Sequence, residues 1–167
     1  GDDFYIVNFQ DSDDADRLFS AAPGRFLDNL VRSNQLTREQ FEQLPPEVRV
    51  ISLLSVAARE QASGSPLLSE EELAVFVDAF ERTGFTPGIN WYRNMSRNWA
   101  TTEDIEQCVR PRTLFIGARD DVVIPLDDIE SMRDYVDDLS VEMLAPCGHW
   151  TQQERPDDVN RLLLAFF

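Results

Sequence analysis

One histidine occurs in the chain, His149, and it lies in Cys147-Gly148-His149-Trp150-Thr151-Gln152. A Gly-His-Trp turn directly after the β-type run Ser140–Leu144 puts this imidazole on a loop at a strand end. There a rigid strand positions the ring and the loop leaves it open to substrate, as a general base requires. Upstream, Thr113-Leu114-Phe115-Ile116-Gly117-Ala118-Arg119-Asp120 reads as a buried strand closing on a carboxylate. Strand-end acid followed by strand-end histidine is the chain order of the last two members of a nucleophile–acid–base triad. A neutral imidazole can take a proton from water near pH 7, and a carboxylate on its other nitrogen fixes the tautomer and stabilises the imidazolium. Asp120 and Asp121 compete for that role, and the pattern of residues does not separate them. The nucleophile should lie earlier, and no earlier segment reads as able to hold it.

Tyr5 and Tyr92 carry the second chemical possibility. Both read as lying beside irregular, aromatic-rich sequence rather than mid-helix. Singly, each is a half-buried packing residue with a satisfied hydroxyl. As a pair they can donate two hydrogen bonds to one oxygen, which is what opening a strained ether requires. Trp91, Trp99 and Trp150 read as core or pocket wall, and Asn90, Arg93 and Asn94 as partners for backbone groups around a turn.

The elements that must position these groups change character along the chain. Phe4-Tyr5-Ile6-Val7-Asn8-Phe9-Gln10 reads as a short extended segment. The acidic run Asp11 to Asp16 then opens a helical pattern through Leu18, Phe19, Phe26, Leu30 and Val31, broken near Pro23-Gly24. Thr37 with Gln40 suits a capping box for a short helix ending near Leu44. Pro45-Pro46 separates it from the apolar stretch Val48–Ala58, and Gln61–Pro66 is a polar loop. The clearest helix is Ser69–Thr83, with Ser69 and Glu72 as its capping box, Leu73, Phe76, Val77 and Phe80 as one apolar stripe, and Gly84 closing it. From about Thr102 the pattern becomes strand Thr113–Gly117, helix Leu126–Asp137, strand Ser140–Leu144 and helix Arg155–Phe167, at α/β spacing. The expectation is an α/β protein with a mostly helical region over residues 1–100, followed over 101–167 by two β–α units of a parallel sheet. Two strands do not make a stable sheet alone, so the second region should be the edge of something larger.

Composition removes other classes of function. The chain has 167 residues and a net charge of −16, from 31 acidic against 15 basic side chains. Nucleic acid and anionic membrane surfaces both need Lys/Arg patches, so neither is an expected partner. No apolar run approaches the ~20 residues needed to span a bilayer. Two distant cysteines, Cys108 and Cys147, and one histidine do not complete a zinc site. Free buried thiols fit a reducing cytoplasm, the expected location.

These residues resemble the soluble-type epoxide hydrolases of the α/β-hydrolase fold. The resemblance covers essentially the whole chain and is carried by Phe4–Gln10, the helix start Ser69-Glu70-Glu71-Glu72, Gly88-Ile89-Asn90-Trp91-Tyr92-Arg93-Asn94, and Cys147–Gln152 followed by Pro156 and Val159-Asn160. It implies that residues 1–100 are a helical lid and that 101–167 are the C-terminal part of the hydrolase core. It implies that Tyr5 and Tyr92 polarise an epoxide oxygen, that His149 activates water, and that Trp91, Val122, Val123 and Trp150 line the substrate pocket. Counting back from Pro125 and forward from Pro111 assigns the acid to Asp120 rather than Asp121. The implied reaction converts an epoxide to a vicinal diol through an aspartyl ester, with no metal or organic cofactor. The family's nucleophilic aspartate and His-Gly-x-Pro oxyanion loop precede its lid, and neither motif occurs here. The chain therefore reads as a C-terminal half whose partners are a small-molecule epoxide and the missing N-terminal half, in the same or a companion polypeptide, with homo-oligomerisation open. Alone it should be inactive. The alternatives are a haloalkane or haloacetate dehalogenase of the same fold, which needs halide-binding groups instead of two lid tyrosines, and a non-catalytic lid or interaction fragment.

Overall fold

A computed structural model describes residues 3–33 and 36–167. The elements run α1 (Tyr5–Asp11), α2 (Asp14–Ala21), α3 (Pro23–Leu30), α4 (Arg38–Glu42), α5 (Leu53–Ala58), α6 (Glu70–Thr83), α7 (Thr86–Arg93) and α8 (Met95–Thr101). They continue with β1 (Thr113–Ala118), α9 (Leu126–Ser131), β2 (Leu139–Leu144), α10 (Thr151–Glu154) and α11 (Pro156–Phe166). Residues up to Arg32 form one compact unit with Pro46–Ile105, and Ser33–Pro45 forms a second with Glu106–Phe167. Among the described residues, no helix is long and apolar enough to cross a membrane, and no three metal-ligating side chains gather.

The first unit is helical and closes on an aromatic core. Phe9, Phe19, Phe26, Leu27, Phe85 and Ile89 are buried together, with Leu73, Phe76, Val77 and Phe80 of α6 packed against them. The apolar stripe of α6 thus does what its spacing predicts. The Ser69 hydroxyl accepts from the Glu72 N–H while the Glu72 carboxylate accepts from the Ser69 N–H, and Gly84 ends the helix at φ 68°, a conformation that glycine adopts without a Cβ penalty. Pro23 starts α3 at the break expected there.

The opening segment departs from its expected extended form. Ile6 and Val7 favour a strand, and a strand would have placed Tyr5, Val7 and Phe9 on one face. As a helix, α1 buries Phe9 and leaves Val7 exposed, because Tyr5 and Phe9, one turn apart, both pack against Tyr92 of α7. Tyr5 is accordingly the first residue of a helix and Tyr92 lies in the last turn of another, not in irregular sequence.

Phe19 stacks on Phe26 with centroids 3.9 Å apart and meets Phe9 and Phe85 edge-on. Replacing it with alanine removes the ring on which three others rest. We expect Phe19→Ala to cost about 3–5 kcal/mol of unfolding free energy in denaturant titration, the usual range for a buried Phe.

In the second unit β1 and β2 pair in parallel, with Thr113 opposite Leu139 and Ala118 opposite Leu144. Both strands match the expected alternation. The helix expected over Leu126–Asp137 ends at Ser131 and tightens into a 3₁₀ turn, Met132–Asp134. Ala118, Leu144, Cys147 and Val159 form the small buried cluster of this unit, with Ile116 and Leu162 against it. The apolar residues Leu114, Phe115 and Ile116 of β1 remain only half-buried. Parallel strands are normally covered on both faces.

Candidate active site

The β1 and β2 ends are tied together where the chemistry was expected. The Arg119 N–H donates to the Leu144 carbonyl at 2.9 Å, and the Asp120 N–H to the Cys147 carbonyl at 3.0 Å. These bonds extend the ladder past the strands and bring the turn after β1 against the loop that carries His149. On that loop, the Gly148 N–H donates to Glu154 Oε2 at 2.8 Å, and the indole of Trp150 meets the imidazole edge-on with centroids 5.2 Å apart.

The carboxylate that reaches His149 is Asp121. Its Oδ1 and Oδ2 lie 3.1 and 3.0 Å from His149 Nδ1. A carboxylate can only accept, so Nδ1 carries the proton and Nε2 is left as the basic nitrogen. The assignment of the acid to Asp120 is therefore corrected. The physical reason lies in the turn: Asp121 Oδ1 also accepts the N–H groups of Val123 at 2.7 Å and Ile124 at 3.2 Å. This side-chain turn fixes the Asp121 carboxylate beside the imidazole. Asp120 Oδ1 instead accepts the Arg38 N–H of α4 at 3.2 Å. Counting from the flanking prolines misses this, because internal hydrogen bonds, not distance along the chain, select which carboxylate faces His149.

Asp121 is 8% exposed and His149 keeps a third of its side chain open. Burial pushes the Asp121 carboxyl up, but the His149 hydrogen bond, the Val123 and Ile124 N–H groups and the imidazole charge outweigh it and hold it below its ordinary 3.8. A group with a depressed folded value contributes stability that is present above the unfolded value and lost as pH falls through the folded one. We therefore expect stability to drop as pH falls below about 4, and the drop to be smaller in Asp121→Asn, as read from denaturant midpoints across that range. Burial, with Glu154 nearby, pushes the Cys147 thiol up to about 11, so the only nucleophilic sulfur beside His149 stays protonated near neutrality.

The tyrosine pair lies in the helical unit. The Tyr5 and Tyr92 rings meet edge-on with centroids 5.4 Å apart, and burial, followed by the charge and hydrogen bond of Tyr92, raises the Tyr5 hydroxyl above its ordinary value. The two rings are thus in direct contact. Arg93 locks the helices that carry them: its Nε donates to the Phe9 carbonyl at 2.8 Å and its Nη2 reaches the Ser12 carbonyl at 3.0 Å and Asp16 at 2.7 Å. This backbone role is the one expected for Arg93, and Asn94 likewise bonds the Asn90 carbonyl at 2.7 Å.

Tyr92 stands on the wall of a cavity of about 580 Å³, whose other walls include Phe9, Phe19, Phe80, Phe85 and Trp91. Tyr5 packs against Tyr92 and is not among the residues of that wall. Trp91 is 79% exposed at the cavity's edge. The other pocket residues expected from sequence, Val122, Val123 and Trp150, belong to the second unit, where the Val123 N–H holds Asp121 and the Trp150 ring meets His149 edge-on. Sequence reasoning placed Phe19, Phe26 and Phe80 on apolar helix positions but Phe9 in an extended segment, and it did not bring these rings together as one cavity.

No family model matches the chain. It is 33% identical over 98% of its length to epoxide hydrolase A of Mycobacterium tuberculosis, and 33% identical over 70% of its length to bifunctional epoxide hydrolase 2 of Sus scrofa. It spans about half the length of the first and about a fifth of the second. Among solved structures it resembles epoxide hydrolase A from Mycobacterium thermoresistibile, with a TM-score of 0.79 and 31% identity, covering 98% of this chain and 51% of that one. Potato (Solanum tuberosum) epoxide hydrolase I gives a TM-score of 0.73 at 26% identity, covering 99% and 53%. The dehalogenase alternative is not favoured by any of these. Over nearly its whole length, in sequence and in structure, the chain is similar to epoxide hydrolases of the α/β-hydrolase fold, and its helical region followed by a short parallel sheet is consistent with a C-terminal portion of that fold.

Proposed function

We propose that the complete protein hydrolyses apolar epoxides to vicinal diols through an aspartyl ester, with residues 1–100 as its lid and 101–167 as the end of its catalytic core. The reading rests above all on His149, whose Nδ1 is held by Asp121 so that Nε2 is free to take a proton from water. In the first step an aspartate from the part of the protein outside this chain attacks an epoxide carbon, while Tyr5 and Tyr92 donate to the ring oxygen as its bond to that carbon breaks. In the second, water activated by His149 attacks the ester and releases the diol, regenerating the aspartate. A cavity lined by phenylalanines and by Tyr92 suits an uncharged, hydrophobic substituent on the epoxide. The half-covered apolar strand β1 supports further polypeptide against this sheet, where the nucleophile and oxyanion donors would come from.

The test is single-turnover chemistry on the full-length protein with an aryl epoxide in ¹⁸O-labelled water. Excess enzyme should give diol whose new oxygen comes from the aspartate, with the label appearing in the protein. Label entering the diol directly in the first turnover would exclude the ester, and absence of diol would end the proposal.

A further inference from the structure

We propose that Arg38 is a positioning residue for the Asp121–His149 pair, a role that rests on reading His149 as the water-activating base. Arg38 follows the capping residue Thr37, whose reciprocal bonds with Gln40 fix the start of α4. From there its guanidinium reaches the turn after β1. Nε donates to the Arg119 carbonyl at 3.2 Å, and Nη2 donates to the Asp121 carbonyl and, at 2.6 Å, to the Ile124 carbonyl. Its backbone N–H holds Asp120 Oδ1. One residue thus grips the acid-bearing turn on both sides of Asp121 and at Asp121 itself. The side chain is only 13% exposed, and the carboxylate of Glu42 is 3.7 Å away, so among the described residues most of its hydrogen bonding is spent on this turn.

The turn needs such a grip. Beyond the Asp120 N–H it has left the β ladder, and its own closing bond, from the Asp121 N–H to the Ala118 carbonyl, is long at 3.4 Å. Carbonyls leaving a strand end must find donors, and a planar fork can serve several at once where a lysine ammonium serves as a point. The Asp121 carboxylate is held beside His149 only while its backbone stays put, and catalytic geometry tolerates displacements of about 0.5 Å. The guanidinium of Arg38 bonds the Asp121 carbonyl rather than its carboxylate; it acts through the backbone that aims Asp121.

The decisive experiment compares Arg38→Met and Arg38→Lys in the full-length protein by two readouts. Rapid-quench kinetics with an aryl epoxide separates ester formation from ester breakdown. The ¹⁵N spectrum of His149, assigned by its loss in His149→Gln, reports which ring nitrogen carries the proton. Ester formation should be unchanged in Arg38→Met while breakdown slows about 10–100-fold, the range seen when outer partners of a functional histidine are lost. The His149 signal should gain the Nε2–H form, and Arg38→Lys should fall between wild type and Met in both readouts. Equal slowing of both steps, or an unchanged tautomer in Arg38→Met, would overturn the role. If Arg38→Met does not fold, a lysine variant indistinguishable from wild type would overturn it as well. Should the wild type form no ester, the proposed reaction fails on its own account, and the tautomer alone decides whether Arg38 aims Asp121.

Discussion

Asp121→Asn should bring turnover to a halt at the ester, with breakdown about 10⁴-fold slower, the loss expected when the acid of a His–acid pair becomes an amide. Asparagine retains the oxygen that the Val123 and Ile124 N–H groups require, so the turn keeps its shape. What changes is the atom facing His149. An amide NH₂ there donates, which forces Nδ1 to accept and moves the ring proton to Nε2, the nitrogen that must take a proton from water. The first step does not use His149, so ester should accumulate in stoichiometric amount and be visible by intact mass. Asp120→Asn is the matched control. Asp120 Oδ1 accepts the Arg38 N–H, a bond that asparagine can reproduce, and it is Asp121 rather than Asp120 that meets His149, so turnover of this variant should stay near that of wild type. If Asp120→Asn traps ester and Asp121→Asn does not, the assignment made from the geometry is wrong.

That control also marks how far the chain could be read in advance. Both parallel strands, the α6 cap and stripe, and the strand-end histidine follow from periodicity and capping residues that act over a few positions, and the structure holds each of them. The misreadings occur where distant contacts decide. Phe4–Gln10 has the composition of a strand, yet α7 supplies a partner for one face of a helix and the helix wins. Asp120 and Asp121 are adjacent and chemically identical, and the choice between them is made by Val123, Ile124 and an arginine over 80 positions earlier. Nothing near Arg38 in sequence marks it as more than a charged residue in the first turn of a short helix.

Tyr92→Phe should slow ester formation by about 10²–10³-fold, or roughly 2.7–4 kcal/mol of barrier, the usual cost of removing one donor from a developing oxyanion. The chemistry makes the direction firm. As the epoxide carbon–oxygen bond breaks, negative charge grows on the oxygen, and a phenol donor stabilises that charge more than it stabilises the neutral ether. Tyr92 carries the larger expectation because it stands on the cavity wall, whereas Tyr5 packs edge-on against its ring and is not among the wall residues. Burial raises the Tyr5 hydroxyl, so it remains a protonated donor across the working pH range and can orient Tyr92 or follow it onto the substrate oxygen. Tyr5→Phe should therefore slow the same step by less. In the double variant the two losses should depart from additivity, because the hydroxyls act as one unit. Neither substitution should change ester breakdown, which belongs to His149 and Asp121. The discriminating measurement is the rapid-quench split: slowing confined to ester formation assigns the tyrosines to ring opening, and slowing of breakdown instead, or no change in Tyr92→Phe, would remove them from the mechanism.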